Sequence, residues 1–301
     1  MSRIAVFAYS DLGHACTRKL FDLGKEVVFV ATHADAPGEA IWFPSVAELA
    51  RSRSVEPVLS EEPRELLARL NAASPDLLFS FYYRNILPKD LLRVPRFGAY
   101  NIHGSLLPKY RGRAPVNWAV ANGETKTGAT LHEMISRPDA GGIVDQEEVA
   151  IGEDDMAGDV QKHVTEAAVR LLERSLGPLE AGTAKVRPQE EPAATTFGRR
   201  RPEDGRIDWA LSSREVHNLV RAVSHPYPGA FTDLFGRKMF IWKTRLPGLA
   251  EHDTYPGEVR FQEGKLYVAC GDDHYVEVLR LQPEGGQETD GARFAEMRTL
   301  P

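Results

Sequence analysis

Three side chains in this 301-residue sequence have the chemistry of a proton-transfer site: Asn101, His103 and Asp139. Asn101 and His103 fall near the end of the run AYNIHG, and Asp139 lies in the turn SRPDAGG. An imidazole can give or take a proton during turnover near neutral pH. An amide two positions earlier on a strand leaves the same face, because side chains alternate with period two. Together the two can hold an oxygen that gains negative charge in a tetrahedral intermediate. A carboxylate beside the imidazole would fix its tautomer and favour its charged form. Asp139 is the candidate for that carboxylate, and the glycines after it let backbone approach a ligand closely. Spacing alone leaves the plain alternatives open. A histidine at a strand end is often a packed structural residue, Asp before Ala-Gly-Gly is common in turns, and Lys109, Arg111 and Arg113 also fit a solvated loop.

Elements must exist to position these groups. RIAVFAY (3–9) is a short continuous apolar run, as expected of a strand buried on both faces. A helix is expected over roughly 12–23, then a strand at EVVFVATH (26–33), a helix at SVAELARSRS and a short strand at EPVLS. PRELLARLNAAS reads as a helix with Pro in its first turn, and DLLFSFYY (76–83) and AYNIHG (99–104) as the next strands. This strand–helix alternation predicts an α/β fold, with a Rossmann-like, mostly parallel sheet and helices on both faces. From residue 124 the rhythm changes to a pair of strands, TGATLHEMI and GGIVDQEEVAI, and a long helix over about 157–180. The Pro-, Gln- and Glu-rich stretch 187–194 reads as a linker. Short, turn-punctuated strands beyond Asp208 suggest a small β-barrel, giving domains 1–204 and 205–301.

Composition excludes several classes. The net charge of −6 disfavours a general polyanion binder. The two cysteines lack metal-ligand spacing, so neither a disulfide framework nor a metal site is expected, and a cytoplasmic location is the default. No apolar run is long enough for a membrane span. The first strand turn, FAYSDLGHACTRKL, has one glycine where dinucleotide binding needs three, so NAD or FAD is not expected there. Ligands of parallel sheets still bind at the carboxyl ends of strands, where Asn101 and His103 sit.

The block NIHGSLLPKYRGRAP resembles the signature of the folate-dependent formyltransferases, in which Asn-x-His precedes Ser-Leu-Leu-Pro and an Arg-Gly loop. The resemblance covers nearly the whole chain and implies a small C-terminal OB-like barrel. It implies 10-formyltetrahydrofolate as co-substrate, an amine as acceptor, and Asn101, His103 and Asp139 as the catalytic residues. It also implies a pterin pocket lined by the backbone of Asn85, Ile86 and Leu87 and by Ile135, Ser136, Arg137, Pro138 and Asp139, with the Ile86, Leu87 and Ile135 side chains covering the pterin faces and Arg113 as a further folate contact.

THADAPGE (32–39), FSFYYRNIL (79–87) and FGRRRPED (197–204) are similar to the branch acting on UDP-4-amino-4-deoxy-L-arabinose, in lipid A modification and polymyxin resistance. That relative is half of a bifunctional enzyme with a NAD-dependent decarboxylase. This chain stops at Pro301 and is either a stand-alone transferase or a fragment, so the decarboxylation is expected to be absent from this polypeptide. Arg199, Arg200 and Arg201 suit a nucleotide pyrophosphate, or equally pin the linker through carboxylates. His33 and Trp42 are candidates for the sugar-nucleotide side or for packing. Other nucleotide amino sugars are the nearest alternative acceptors. Methionyl-tRNA is disfavoured, because 12 Lys/Arg against 14 Asp/Glu from Gly205 onward offer no basic track. A hydrolase using water in place of the amine is a third option, a non-catalytic nucleic-acid-binding barrel a fourth, and homo-oligomerisation is left open.

Overall fold

The computed structural model describes residues 2–35 and 41–299, so residues 36–39 of THADAPGE lie outside the described residues. In chain order the first part runs β1 (Arg3–Ala8), α1 (Ser10–Asp22), β2 (Glu26–Ala31), α2 (Val46–Ser52), α3 (Pro63–Ala73), β3 (Leu77–Phe81), α4 (Lys89–Leu92) and β4 (Ala99–His103). It continues through β5 (Arg111–Gly112), α5 (Pro115–Ala121), β6 (Lys126–Glu133), β7 (Ile143–Ala150), α6 (Ala157–Glu180) and β8 (Thr196–Phe197). Two compact units result: Met1–Gly112 with Thr127–Val149 and Lys162–Phe197, and Arg113–Lys126 with Ala150–Gln161 and Gly198–Pro301.

The first unit is built on a six-stranded sheet in the order β2-β1-β3-β4-β6-β7. Pairing is parallel from β2 to β4 and turns antiparallel between β4 and β6. Ile4, Ala5, Val6, Phe7 and Ala8 are wholly buried, which explains the unbroken apolar run of β1. Phe79 and Phe81 on β3 are equally buried, and each stabilises the fold by roughly 1.5–3 kcal/mol relative to an exposed ring. The glycine of the first turn has a packing role. A Cβ on Gly13 would sit 2.9 Å from the Phe81 carbonyl oxygen, so its absence lets α1 lie close to β3. EPVLS does not form the expected strand. Val58 alone bridges to Ala31, because the chain touches the sheet edge and leaves it.

The second unit has α7 (Ser213–Val223), then β9 (Ala230–Leu234), β10 (Arg237–Arg245), β11 (Val259–Gln262), β12 (Lys265–Ala269), β13 (Tyr275–Pro283), β14 (Thr289–Asp290) and α8 (Gly291–Thr299). Its strands form one sheet in the order β11-β12-β13-β10-β9, with β14 on β13 and antiparallel pairing throughout. The Ser212–Glu215 capping box starts α7, and Val216 and Val220 supply its buried stripe. This is the predicted α/β architecture, a Rossmann-like parallel sheet followed by a separate antiparallel β domain.

Candidate active site

His103 ends β4 with only 6% of its surface exposed, and its Nε2 lies 2.7 Å from the Tyr110 carbonyl oxygen. A carbonyl can only accept, so Nε2 carries the proton and Nδ1 faces the other way. The loop between them is held rigidly. Ser105 Oγ donates to the Lys109 carbonyl, and Thr130 Oγ1 donates to the Ser105 carbonyl at 2.6 Å while accepting the Leu107 N–H. Thr130 is the residue opposite His103 in the β4–β6 ladder, so one strand pairing also anchors the loop.

Asp139 is brought to the same place. Its Oδ1 lies 3.6 Å from His103 Nδ1, and its Oδ2 accepts the Gly112 N–H at 2.9 Å. The 3.6 Å gap exceeds a direct hydrogen bond. Burial works to raise the Asp139 pKa, but His103, His132, the Gly112 amide and Arg111 together outweigh it and hold the carboxyl below its ordinary value. Its backbone is left-handed, at φ 54°, an uncommon geometry that Asp tolerates better than most residues.

Asn101 faces a residue to which the sequence reading gave no role. Its Nδ2 lies 3.0 Å from Nε2 of His132, its partner across the β4–β6 ladder. The other ring nitrogen, Nδ1, donates to the Glu133 carbonyl at 2.8 Å, so Nε2 must accept from the amide. This fixes which way the Asn101 amide points. Burial pushes the His132 pKa down to about 4, against the raising effect of Asp139, so the ring is neutral at physiological pH. Its Nε2 is also 3.6 Å from Asp139 Oδ1. The available signal was the period of TGATLHE, which sets Thr130 and His132 on one face. The missing piece was that this strand pairs with β4.

The expected pocket residues fall in two loops of the same unit. Asn85 is exposed and donates from Nδ2 to Glu61, while Ile86 is 73% exposed. Leu87 is a correction to the expectation of a pterin-covering side chain, because it packs into the core around Phe7 and Leu91. Ile135, Ser136, Arg137 and Pro138 are exposed and lead into Asp139. Arg111 belongs to no solvated loop: it is 3% exposed, and Gln189 and Glu191 close on its guanidinium. His33 is buried rather than displayed, stacked on Tyr83 at 4.2 Å with Nδ1 2.5 Å from Glu61 Oε1. It forms part of the wall of a cavity of about 260 Å³ at the tips of β1 and β2. Trp42 is 44% exposed.

Arg113 and the arginine run belong to the second unit. Arg113, Arg199 and Arg201 are exposed. Arg200 packs over the Trp118 ring at 4.4 Å and donates to the Asp204 carbonyl, as a pin on the chain would. Among the described residues, no group of three or more His, Cys, Asp or Glu could hold a metal ion. No helix among them is long and apolar enough to cross a membrane.

Comparison with known proteins gives this geometry its context. Residues 2–176 match the family model described as Formyl transferase, and residues 200–299 match that of the formyl transferase C-terminal domain. A variant of HypX from Aquifex aeolicus superposes with a TM-score of 0.66 at 19% identity, covering 100% of this chain and 48% of that one. This chain thus spans about half the length of HypX. An N-formyltransferase from Helicobacter canadensis, solved with folinic acid and dTDP-3-aminofucose, superposes at 0.72 and 18% identity over 96% of this chain and 100% of that one. A sugar N-formyltransferase from a Shewanella species gives 0.63 and 20% identity over 80% and 96%. At such identities the superpositions speak for the fold, whereas the two family matches speak for descent: this chain is an enzyme of the formyl transferase family.

Proposed function

We propose that the chain transfers a formyl group from 10-formyltetrahydrofolate to the amine of a nucleotide-linked amino sugar, with UDP-4-amino-4-deoxy-L-arabinose as the acceptor. The observation that carries this reading is the convergence of Asn101, His103 and Asp139 at the carboxyl end of β4. The sugar nitrogen attacks the formyl carbon, and a C–N bond forms as the carbonyl oxygen takes up charge. Asn101 and the protonated His103 stabilise that oxygen. The bond from carbon to N10 of the folate then breaks, and N10 leaves with a proton from the imidazole. The Tyr110 carbonyl keeps the Nε2 proton in place, so the mobile proton is the one on Nδ1, the edge shared with Asp139. Asp139 takes up the proton lost by the amine.

In this reading the chemistry belongs to residues 1–204. Asn85, Ile86, the backbone of Leu87 and residues 135–139 receive the folate. Folate as donor is supported by neighbours solved with folinic acid and, for HypX, tetrahydrofolic acid. Neighbours solved with dTDP-3-aminofucose or with dTDP favour a second reading, a dTDP-linked acceptor. The test is a screen of 10-formyltetrahydrofolate with UDP-, dTDP- and GDP-amino sugars and charged methionyl-tRNA, read by mass spectrometry. A formylated UDP-amino sugar is expected. Formylation of the tRNA alone, or folate turnover indifferent to every acceptor, would overturn the proposal.

A further inference from the structure

The stretch expected as a linker is bonded to the site at both of its ends. Gln189 donates both amide hydrogens, to the carbonyls of Asp139 and Gly141 at 2.7 Å each. Its Oε1 accepts from Arg111 Nη2 at 2.7 Å and Nε at 3.1 Å. Two donors and two lone pairs are all that a glutamine amide has, so this side chain is saturated. The buried Arg111 is neutralised by Glu191, which also reaches Arg137 at 3.0 Å in the turn carrying Asp139. Gly141 seals that turn from the other side, since a Cβ there would lie 1.9 Å from the Glu133 carbonyl oxygen.

The far end of the same stretch holds the imidazole. Thr195 Oγ1 accepts the Tyr110 N–H at 2.8 Å, and the Phe197 ring stacks on Tyr110 at 4.9 Å. Tyr110 is the residue whose carbonyl takes His103 Nε2. Arg111 and Gly112 pair with Thr196 and Phe197, and the Gly112 N–H is the one that Asp139 Oδ2 accepts. A Cβ on Gly112 would sit 2.2 Å from the Phe197 carbonyl oxygen, which keeps the two strands in close register. Arg187 fastens the near end through two backbone bonds to Ile143.

We infer that residues 187–197 are the positioning element of the catalytic pair, and that Gln189 is the side chain through which they set Asp139. This rests on the proposal that His103 and Asp139 perform the acid–base work. The groups charged or titratable around Asp139 are His103 on β4, His132 on β6 and Arg111 on β5. Their hold on its ionised form depends on the turn staying in place. A loosened turn lets the carboxyl protonate at a higher pH.

Gln189→Glu separates positioning from plain support. Glutamate still accepts from Arg111, with an ion pair in addition, but it has no hydrogens for the Asp139 and Gly141 carbonyls. The expected result is a melting temperature close to that of the parent and a kcat lower by about tenfold to a hundredfold, the scale of a small misplacement of a catalytic group. KM for folate and amino sugar should hold within about twofold, and the acid limb of the kcat–pH profile should move to higher pH. Gln189→Ala should give the same kinetic pattern. Parent-like kcat and pH profile in Gln189→Glu would overturn the inference. His103→Ala run alongside keeps the two readings apart: if it stays active, the assignment of the pair fails, and if it is inactive beside a fully active Gln189→Glu, only the role of this segment fails.

Discussion

Asn101 on β4 and His132 on β6 are partners across the antiparallel ladder, with the amide nitrogen 3.0 Å from an imidazole nitrogen that can only accept from it. The pair explains how a neutral histidine sets the direction of an amide beside a reacting carbonyl. His132→Ala is expected to lower kcat by about tenfold or more, since a freed Asn101 must be reoriented in each turnover. His132→Gln, which can still accept, should recover part of the loss. Steady-state kinetics of the two variants checks this, and equal kcat in His132→Ala and the parent would refute it.

The same ring sets a pH dependence of stability. The unfolded chain binds a proton at His132 near pH 6.5, while the folded chain refuses it until about pH 4. Between these values the unfolded state holds more protons, so stability falls as pH drops from 6.5 and this contribution levels off below about 4. The full effect is on the order of 3 kcal/mol for such a shift. Burial lowers the His217 pKa to about 4 as well, and it acts in the same direction over the same window. Urea denaturation at a series of pH values should show a flatter acid slope in His132→Gln than in the parent.

His103→Ala and Asp139→Ala are each expected to lose at least about a hundredfold in kcat, the usual scale of a general acid–base group. Asp139→Asn keeps an oxygen for the Gly112 N–H but removes the charge that faces His103 Nδ1. A loss in Asp139→Asn close to that of Asp139→Ala assigns the effect to charge. A near-complete recovery assigns it to the turn geometry.

Gly104, directly after His103, has its missing side chain replaced by Tyr82. The Tyr82 hydroxyl oxygen lies 2.1 Å from where a Gly104 Cβ would be, and Tyr82 itself has a left-handed φ of 55°. Gly104→Ala must push the phenol away from the tip of β4, at about 1–3 kcal/mol of overpacking. A drop in kcat in Gly104→Ala that is absent in Tyr82→Phe would tie the effect to displacement of the ring rather than to its hydroxyl.

Gly13→Ala tests the helix–sheet approach away from the site. Its Cβ would meet backbone, the Phe81 carbonyl oxygen at 2.9 Å, which cannot swing aside as a side chain can. A loss of about 1–3 kcal/mol in urea denaturation is expected, although alanine is the better helix former.

Local sequence determined a good deal. Continuous apolar runs made β1 and β3 buried strands, period two put Asn101 and His103 on one face, and the long signature block carried the family. The weak edge segment at Val58 misled because five residues of strand-like composition do not ensure pairing partners. Leu87 misled because an apolar residue in a ligand loop can equally turn into the core.

The tertiary structure alone decided what stands beside what. Asp139, His132 and Gln189 reach Asn101, His103 and Arg111 through strand pairing and turns that close over tens of residues. Periodicity reports which face of an element a side chain leaves from, but not which element lies across from it. Such long-range contacts arise from burial and hydrogen bonding of the whole sheet, so polar and charged residues of segment 187–194 could pass for a linker until their partners were in view.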